Sequence, residues 1–430
     1  MAAIELPYGL GRLLLTIPYE WLGEIAEPKP IKAAPDPDAM IRAALRRPVG
    51  CRPLGQLVER GRRMAVLVDD YTRKTPVAQF LPLVLEELRS AGVAQDDILL
   101  VVALGTHRPM TRVELDAKLG PAISRQYRVI NTPSTNDAEM VFLGTSSAGI
   151  PAWVNRWVAD ADIRIGLGMI TPHMDAGFSG GAKIVLPGVC SSRTVDAFHA
   201  ASAFLPYNQL GNVRAPLRRN LEQFVAEQVP LHFIVNVILT TDGKLYQCVT
   251  GHPVKAHRAG VRYARAVFGT RIRKRYPVVV ANCYPYDVDW WQSSKGVWGG
   301  DRMTADGGTL IILTAAPEGN SSYPLVPGYI GRDPEELKHE IASGLALDAK
   351  QAATGALFGM LRRRINLVLC SRGLSPADAE AMRMPYYVSV DRAVSDSVAR
   401  LPEHERRHSV GVAPQAGILL PMEGCPAGAS

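Results

Sequence analysis

Three of the nine histidines in this 430-residue chain stand beside groups that could move protons or hold a metal. His107 lies in "VVALGTHRP", His173 opens "HMDAGFSGGAK" (173–183), and His199 lies in "SSRTVDAFHA" (191–200). Imidazole titrates near neutrality and ligates metals when neutral, so each is a candidate acid, base or ligand. A fourth polar cluster, "VLVDDYTRKTP", places Asp69, Asp70, Thr72 and Arg73 after another apolar run. The remaining histidines read differently. His339, His404 and His408 fall among charged residues of exposed helical segments, and His232 opens an apolar strand as a packing residue.

The segment "HMDAGFSGGAK" invites two familiar readings. A phosphate loop of the GxxxxGK[ST] type needs a hydroxyl residue after the lysine, and Ile184 follows Lys183 here. The stretch "GFSGG" (177–181) matches G-x-S-x-G, which would make Ser179 a hydrolase nucleophile. That elbow needs a strand ending immediately before the serine, whereas the apolar run ends near Met169. The glycines can still expose backbone N–H groups to an anion or let the chain pass close to a ligand.

The elements that must position these residues follow from the apolar pattern. Runs at 64–68, 98–104, 163–169 and 232–239 read as buried strands in the first half, and runs at 277–282, 309–314 and 365–370 in the second. Amphipathic segments such as 79–92 and 334–346 lie between them. Alternating strands and helices imply an α/β protein with mostly parallel sheets covered on both faces. A junction is expected at the basic segment 255–276, dividing the chain into units 1–265 and 266–430. Its Arg258, Arg262 and Arg265 recur at helical spacing and read as a solvated face. The polar clusters all follow strands, where open α/β sheets bind ligands, so one site in a cleft between the two units is expected.

Composition narrows the function. A net charge of +7 is modest and suits anionic small molecules more than nucleic acid. Six scattered cysteines without a CxxC pair argue against a zinc ribbon or disulfide framework and for a reduced, cytoplasmic setting. No signal-peptide pattern or membrane-length apolar run is present, and the Pro/Gly-rich tail 414–430 is expected to fray at its end.

Taken together, "DDYTRKTP" (69–76), "GTHRPMT" (105–111), "HMDAGFSGGAKIVLPG" (173–188) and "DWWQSSK" (289–295) resemble successive signature segments of the nickel-dependent lactate racemase family. The resemblance implies two α/β domains flanking a cleft and a nickel pincer nucleotide, a pyridinium mononucleotide with two sulfur-bearing arms. It implies that Lys183 tethers this cofactor through a thioamide and that His199 ligates the nickel. His107 and His173 match the family's acid–base pair. Asp70 and Arg73 match residues that touch the cofactor, and Gln292 and Lys295 match those holding the substrate carboxylate. The implied activity is racemisation or epimerisation of a 2-hydroxy acid through a 2-keto acid, with hydride and proton moving together. Cofactor-making proteins would then be partners in maturation. Two rival readings are a hydrolase built on Ser179 and a non-catalytic carrier of the cofactor. The tandem Trp290–Trp291 could form either a pocket wall or core.

Overall fold

Two six-stranded sheets organise the chain. The computed structural model describes residues 1–320 and 323–423. The first sheet runs 245–251, 233–239, 163–169, 64–69, 98–103, 128–130 in spatial order. All its neighbours are parallel except the edge strand Leu245–Gly251. The second runs 386–387, 366–371, 304–314, 276–282, 410–413, 22–25 and is parallel throughout. All seven expected strands are present, with ends displaced by a few residues at most.

Both sheets are covered on both faces, as continuous rather than alternating apolar strands require. In the first, Val66, Val68, Leu100 and Val102 pack into one core and Ala65, Leu67, Val101 and Ala103 into the other. The second divides the same way, with Val279, Ala281, Leu310 and Ile312 on one side and Val278, Val280, Ile311 and Leu313 on the opposite one. Period-two alternation within an all-apolar run thus feeds two cores from one strand.

The N-terminus departs from the expected division at residue 265. The hairpin formed by Ala2–Tyr8 and Gly11–Ile17 buries Ile4, Leu6 and Leu15 against Val278, Val280 and Ile311 of the second sheet. Leu22–Ile25 then pairs with Val410–Ala413 as that sheet's edge. The chain therefore lays down part of the second sheet before it begins the first. The described part of the C-terminal tail is ordered, with Leu420–Glu423 paired in parallel with Gly269–Ile272. The expected fraying at its end falls on 424–430, outside the described residues, as does Cys425. The five described cysteines are free. No described helix is long and apolar enough to cross a membrane.

Candidate active site

The carboxyl ends of both sheets open onto one cavity of about 200 Å³, which widens into a mouth of about 940 Å³. Asp70, Arg73, His107, His173, Lys183, His199, Gln292 and Lys295 all line the inner cavity. Residues more than 220 positions apart in sequence are thus gathered at one place by strand ends and the turns after them.

His107 is oriented by Asp70. The Asp70 carboxylate lies 2.5 Å from Nδ1 and is itself fixed by the Thr72 N–H (2.9 Å) and hydroxyl (2.6 Å). Nδ1 therefore carries the proton and Nε2 keeps a free lone pair, the arrangement of a general base backed by a carboxylate. Burial alone would raise the Asp70 pKa, but the His107 hydrogen bond and charge, with Arg73 and Thr72, hold it below the ordinary carboxylate range.

His173 and Lys183 stand at the two ends of the glycine loop, with His173 Nε2 3.2 Å from Lys183 Nζ. His173 Nδ1 accepts from the backbone N–H groups of Asp175 (3.2 Å) and Ala176 (3.3 Å), so the neutral ring carries its proton on Nε2. That proton can be donated to the lysine only when the amine is unprotonated. The electrostatics favour this state. Burial, then the charges of Arg218 and Arg73, pull Lys183 down to about 7, with Asp175 opposing. Burial and Lys183 push His173 well below its ordinary value. An uncharged lysine amine inside a cavity is a nucleophile at neutral pH.

His199 lies on the helix Ser192–Ala200, whose Val195 and Phe198 face the core. Its Nδ1 donates to the Val195 carbonyl at 2.8 Å, leaving Nε2 as a lone-pair donor without a protein partner among the described residues. Burial, with lesser help from Lys183, lowers its pKa to about 4, so it is neutral at physiological pH. A fixed tautomer with a free Nε2 is what a metal-ligating histidine requires. Among the described residues no group of three or more His, Cys, Asp or Glu side chains could hold a metal, so a metal at His199 would need other donors from a cofactor.

Gln292 and Lys295 share a face of the helix Trp290–Met303, which Asp289 caps by accepting the Gln292 N–H at 2.6 Å. Lys295 Nζ donates to Gln292 Oε1 and lies 4.2 Å from the Tyr286 ring centre. Burial first, then Arg73, holds Lys295 well below the ordinary lysine range. An incoming carboxylate would supply the counter-charge it lacks. The tandem tryptophans divide their roles. Trp290 is fully buried against Phe358, while Trp291 lines the cavity and stacks on Tyr323 at 4.1 Å.

Ser179 is not a nucleophile. Its hydroxyl donates to the Met169 carbonyl (2.9 Å) and accepts from the Thr171 N–H (2.9 Å), with the Thr171 hydroxyl at 3.0 Å. Among the described residues no imidazole bonds this hydroxyl, and a short antiparallel pairing of Pro172–His173 with Gly177–Phe178 stands where an elbow would need a strand-to-helix turn. The serine ties the loop's return to its start.

Several residues essential to this geometry carry no motif. Arg218 is fully buried on the helix Pro216–Gln228 and donates to the carbonyls of Ala176 (3.2 Å), Phe178 and Gly180 (3.1 Å). His257, buried on Lys255–Phe268, reaches the Ser179 carbonyl at 2.8 Å, and Asn236 accepts the Gly181 N–H at 2.8 Å. The helix read as a solvated basic face is only partly so. Arg262 and Arg265 are exposed, Arg265 also donating to the Gly211 carbonyl at 2.9 Å, but Arg258 is half-buried and pairs with Glu222 at 2.7 Å. His232 is a packing residue as expected, accepting the Arg164 N–H at 3.1 Å.

Two outcomes test this description. Arg218→Met orphans three buried carbonyls and is expected to lower unfolding stability in urea by about 3–5 kcal/mol; a loss below about 1 kcal/mol contradicts the clamp. In the apoprotein, competitive labelling with acetic anhydride is expected to give Lys183 a rate that levels off above its pKa of about 7. Surface lysines instead gain reactivity up to about pH 10. A Lys183 profile matching theirs would contradict the neutral amine.

The family model for the lactate racemase N-terminal domain matches residues 8–211. A lactate racemase from Thermoanaerobacterium thermosaccharolyticum is 30% identical over 350 residues, covering 80% of this chain and 82% of the relative. The lactate racemase of Lactiplantibacillus plantarum is 28% identical over 407 residues, 93% and 96% of the two chains. The solved apoprotein structure of the Thermoanaerobacterium enzyme superposes with a TM-score of 0.86 at 26% identity, over 98% of this chain and 100% of that one. A Thermotoga maritima protein structure shares the fold, with a TM-score of 0.68 at 20% identity over 92% of this chain and 100% of its own. The chain belongs to the lactate racemase family.

Proposed function

We propose that this protein is a racemase or epimerase of a lactate-like 2-hydroxy acid that works with a nickel pincer nucleotide. The observation that carries the reading is one cavity holding a carboxylate-backed imidazole, a second imidazole beside a neutral lysine, and a buried ammonium–amide pair. The residues present fit the cofactor. Lys183 offers the amine for a thioamide tether, and His199 offers one imidazole lone pair of set tautomer. Arg73, at the strand end beside Asp70, would face the nucleotide's phosphate. When bound, the group supplies a reversible acceptor for the C2 hydrogen as hydride, which makes a planar 2-keto acid the intermediate.

The chain's own side chains do the remainder. Lys295 and Gln292 hold the substrate carboxylate, and the Tyr286 ring restrains the ammonium, so C2 is presented in a limited range of orientations. His107 Nε2 accepts the hydroxyl proton of one enantiomer, and Asp70 stabilises the imidazolium that results. His173 serves the other enantiomer through Nε2. To act as a base there it must carry its proton on Nδ1 instead and give up the hydrogen bonds from the Asp175 and Ala176 N–H groups. Trp291 and Tyr323 close one side of the cavity and help to exclude water. A carrier of the cofactor would have no use for the Asp70–His107 dyad, which favours turnover. Maturation would draw on cofactor-making proteins, in the cytoplasm.

Enzyme matured with those proteins is expected to show a covalent mass increment that Lys183→Ala abolishes, and to racemise L-lactate by polarimetry. Asp70→Asn should keep the increment and lower kcat roughly 10²- to 10⁴-fold. An increment without optical change in any 2-hydroxy acid tried would favour the carrier. The absence of any increment would refute the tether.

A further inference from the structure

Lys350 is the cation in this cavity that the reading above leaves unused. It lies on the helix Ala349–Arg362, in the first turn, and its side chain is only 9% exposed. It lines both the inner cavity and the mouth. Thr354 and Leu357, one and two turns further on, line the inner cavity too, so one face of this helix forms a wall. The helix packs against Ser192–Ala200, and the Lys350 charge is felt at His199.

Its ammonium is poorly satisfied. Among the described residues Nζ has one carboxylate within reach, and that contact is long. Its neighbours are Asp196 Oδ1 at 3.5 Å and the Tyr323 ring centre at 4.9 Å. Asp196 Oδ1 is itself buried without a hydrogen bond, although the rest of that side chain is 43% exposed toward the mouth. A buried ammonium whose three donors share one long carboxylate contact is under-satisfied, and a further acceptor from a ligand would relieve it.

We infer that Lys350 is a specificity-determining residue that receives a second carboxylate of the substrate, which makes the preferred substrate a 2-hydroxy dicarboxylic acid. The inference rests on the racemase reading. Lys295 and Gln292 take the carboxylate next to the reacting carbon, and Lys350 stands on a different helix, on the His199 side of the cavity. A distal carboxylate there accepts from Nζ while Asp196 turns toward the mouth. Tyr323, whose ring lies 4.9 Å from the Lys350 Nζ, stacks on Trp291, the neighbour of Gln292 on its helix.

The test compares malate with lactate on matured enzyme, by calorimetric binding and by kcat/KM. Wild-type enzyme should favour malate by about tenfold or more in both measures. Lys350→Met should collapse that ratio toward one, and Lys350→Arg should keep most of it. Asp196→Asn removes the competing carboxylate and should tighten malate binding without tightening lactate. Equal binding of the two acids by wild-type enzyme overturns the inference, whether or not either is racemised. So does a malate-to-lactate ratio that Lys350→Met leaves unmoved. A Lys350→Met protein that loses the cofactor mass increment and weakens both acids equally would assign Lys350 to the cofactor instead, which also overturns it. Malate binding as expected without optical change in either acid would leave this inference standing and refute the racemase reading.

Discussion

The buried guanidinium of Arg218 is the constraint on which the site depends. A loop that leaves a strand, turns back and delivers a lysine into a cavity leaves carbonyls pointing inward, where water cannot satisfy them. Arg218 collects those of Ala176, Phe178 and Gly180 in one planar fork, and His257 takes that of Ser179 between them. The loop can follow this path only because Gly177, Gly180 and Gly181 adopt positive φ. A Cβ at 177 would run into the Asn212 backbone, and one at 180 into the Asn236 side chain and Met169 carbonyl. With the carbonyls anchored, His173 and Lys183 are held 3.2 Å apart.

The same guanidinium shapes the chemistry of the loop it holds. Arg218, Arg73, Lys183 and Lys295 place four basic side chains around a small volume; all four oppose a charge on His173, Arg218 and Arg73 oppose one on Lys183, and Arg73 and Lys183 oppose one on Lys295. Lys183 is drawn down to about 7 and Lys295 well below the ordinary lysine range, while His173 and His199 remain uncharged. A cavity of this kind is prepared for anionic ligands and for a lysine that reacts as an amine. His107 differs, because Asp70 supplies the counter-charge an imidazolium would need. The two histidines thus sit in unlike environments.

Much of this was legible in the residues. All-apolar strands of five to eight residues marked both sheets, and polar residues immediately after them marked the end of the sheets where ligands collect. The resemblance then named eight residues that the fold brings to one cavity. What escaped was whatever depends on distant packing. Arg218 and His257 lie on helices whose sequences look like ordinary amphipathic faces, and only the return of the loop beneath them reveals their partners. Lys350 is one charge in an unremarkable helix until that helix closes the cavity. The first 25 residues gave no sign that they complete the second sheet, since edge pairing to residues 410–413 is a contact of nearly 400 positions. At Ser179 the motif matched while the residues before it already lacked the strand an elbow needs, and the hydroxyl's bonds to Met169 and Thr171 agree with that.

The central claim is that one cavity inverts C2 of a hydroxy acid with the C2 hydrogen carried across and the hydroxyl proton handled by His107 and His173. Racemisation of L-lactate by matured enzyme in D₂O, followed by NMR, tests it most directly. The account predicts D-lactate that retains protium at C2, and no racemisation when His107 is replaced by alanine. D-lactate carrying deuterium at C2 from the first turnovers would contradict it, because the hydrogen would then have passed through solvent.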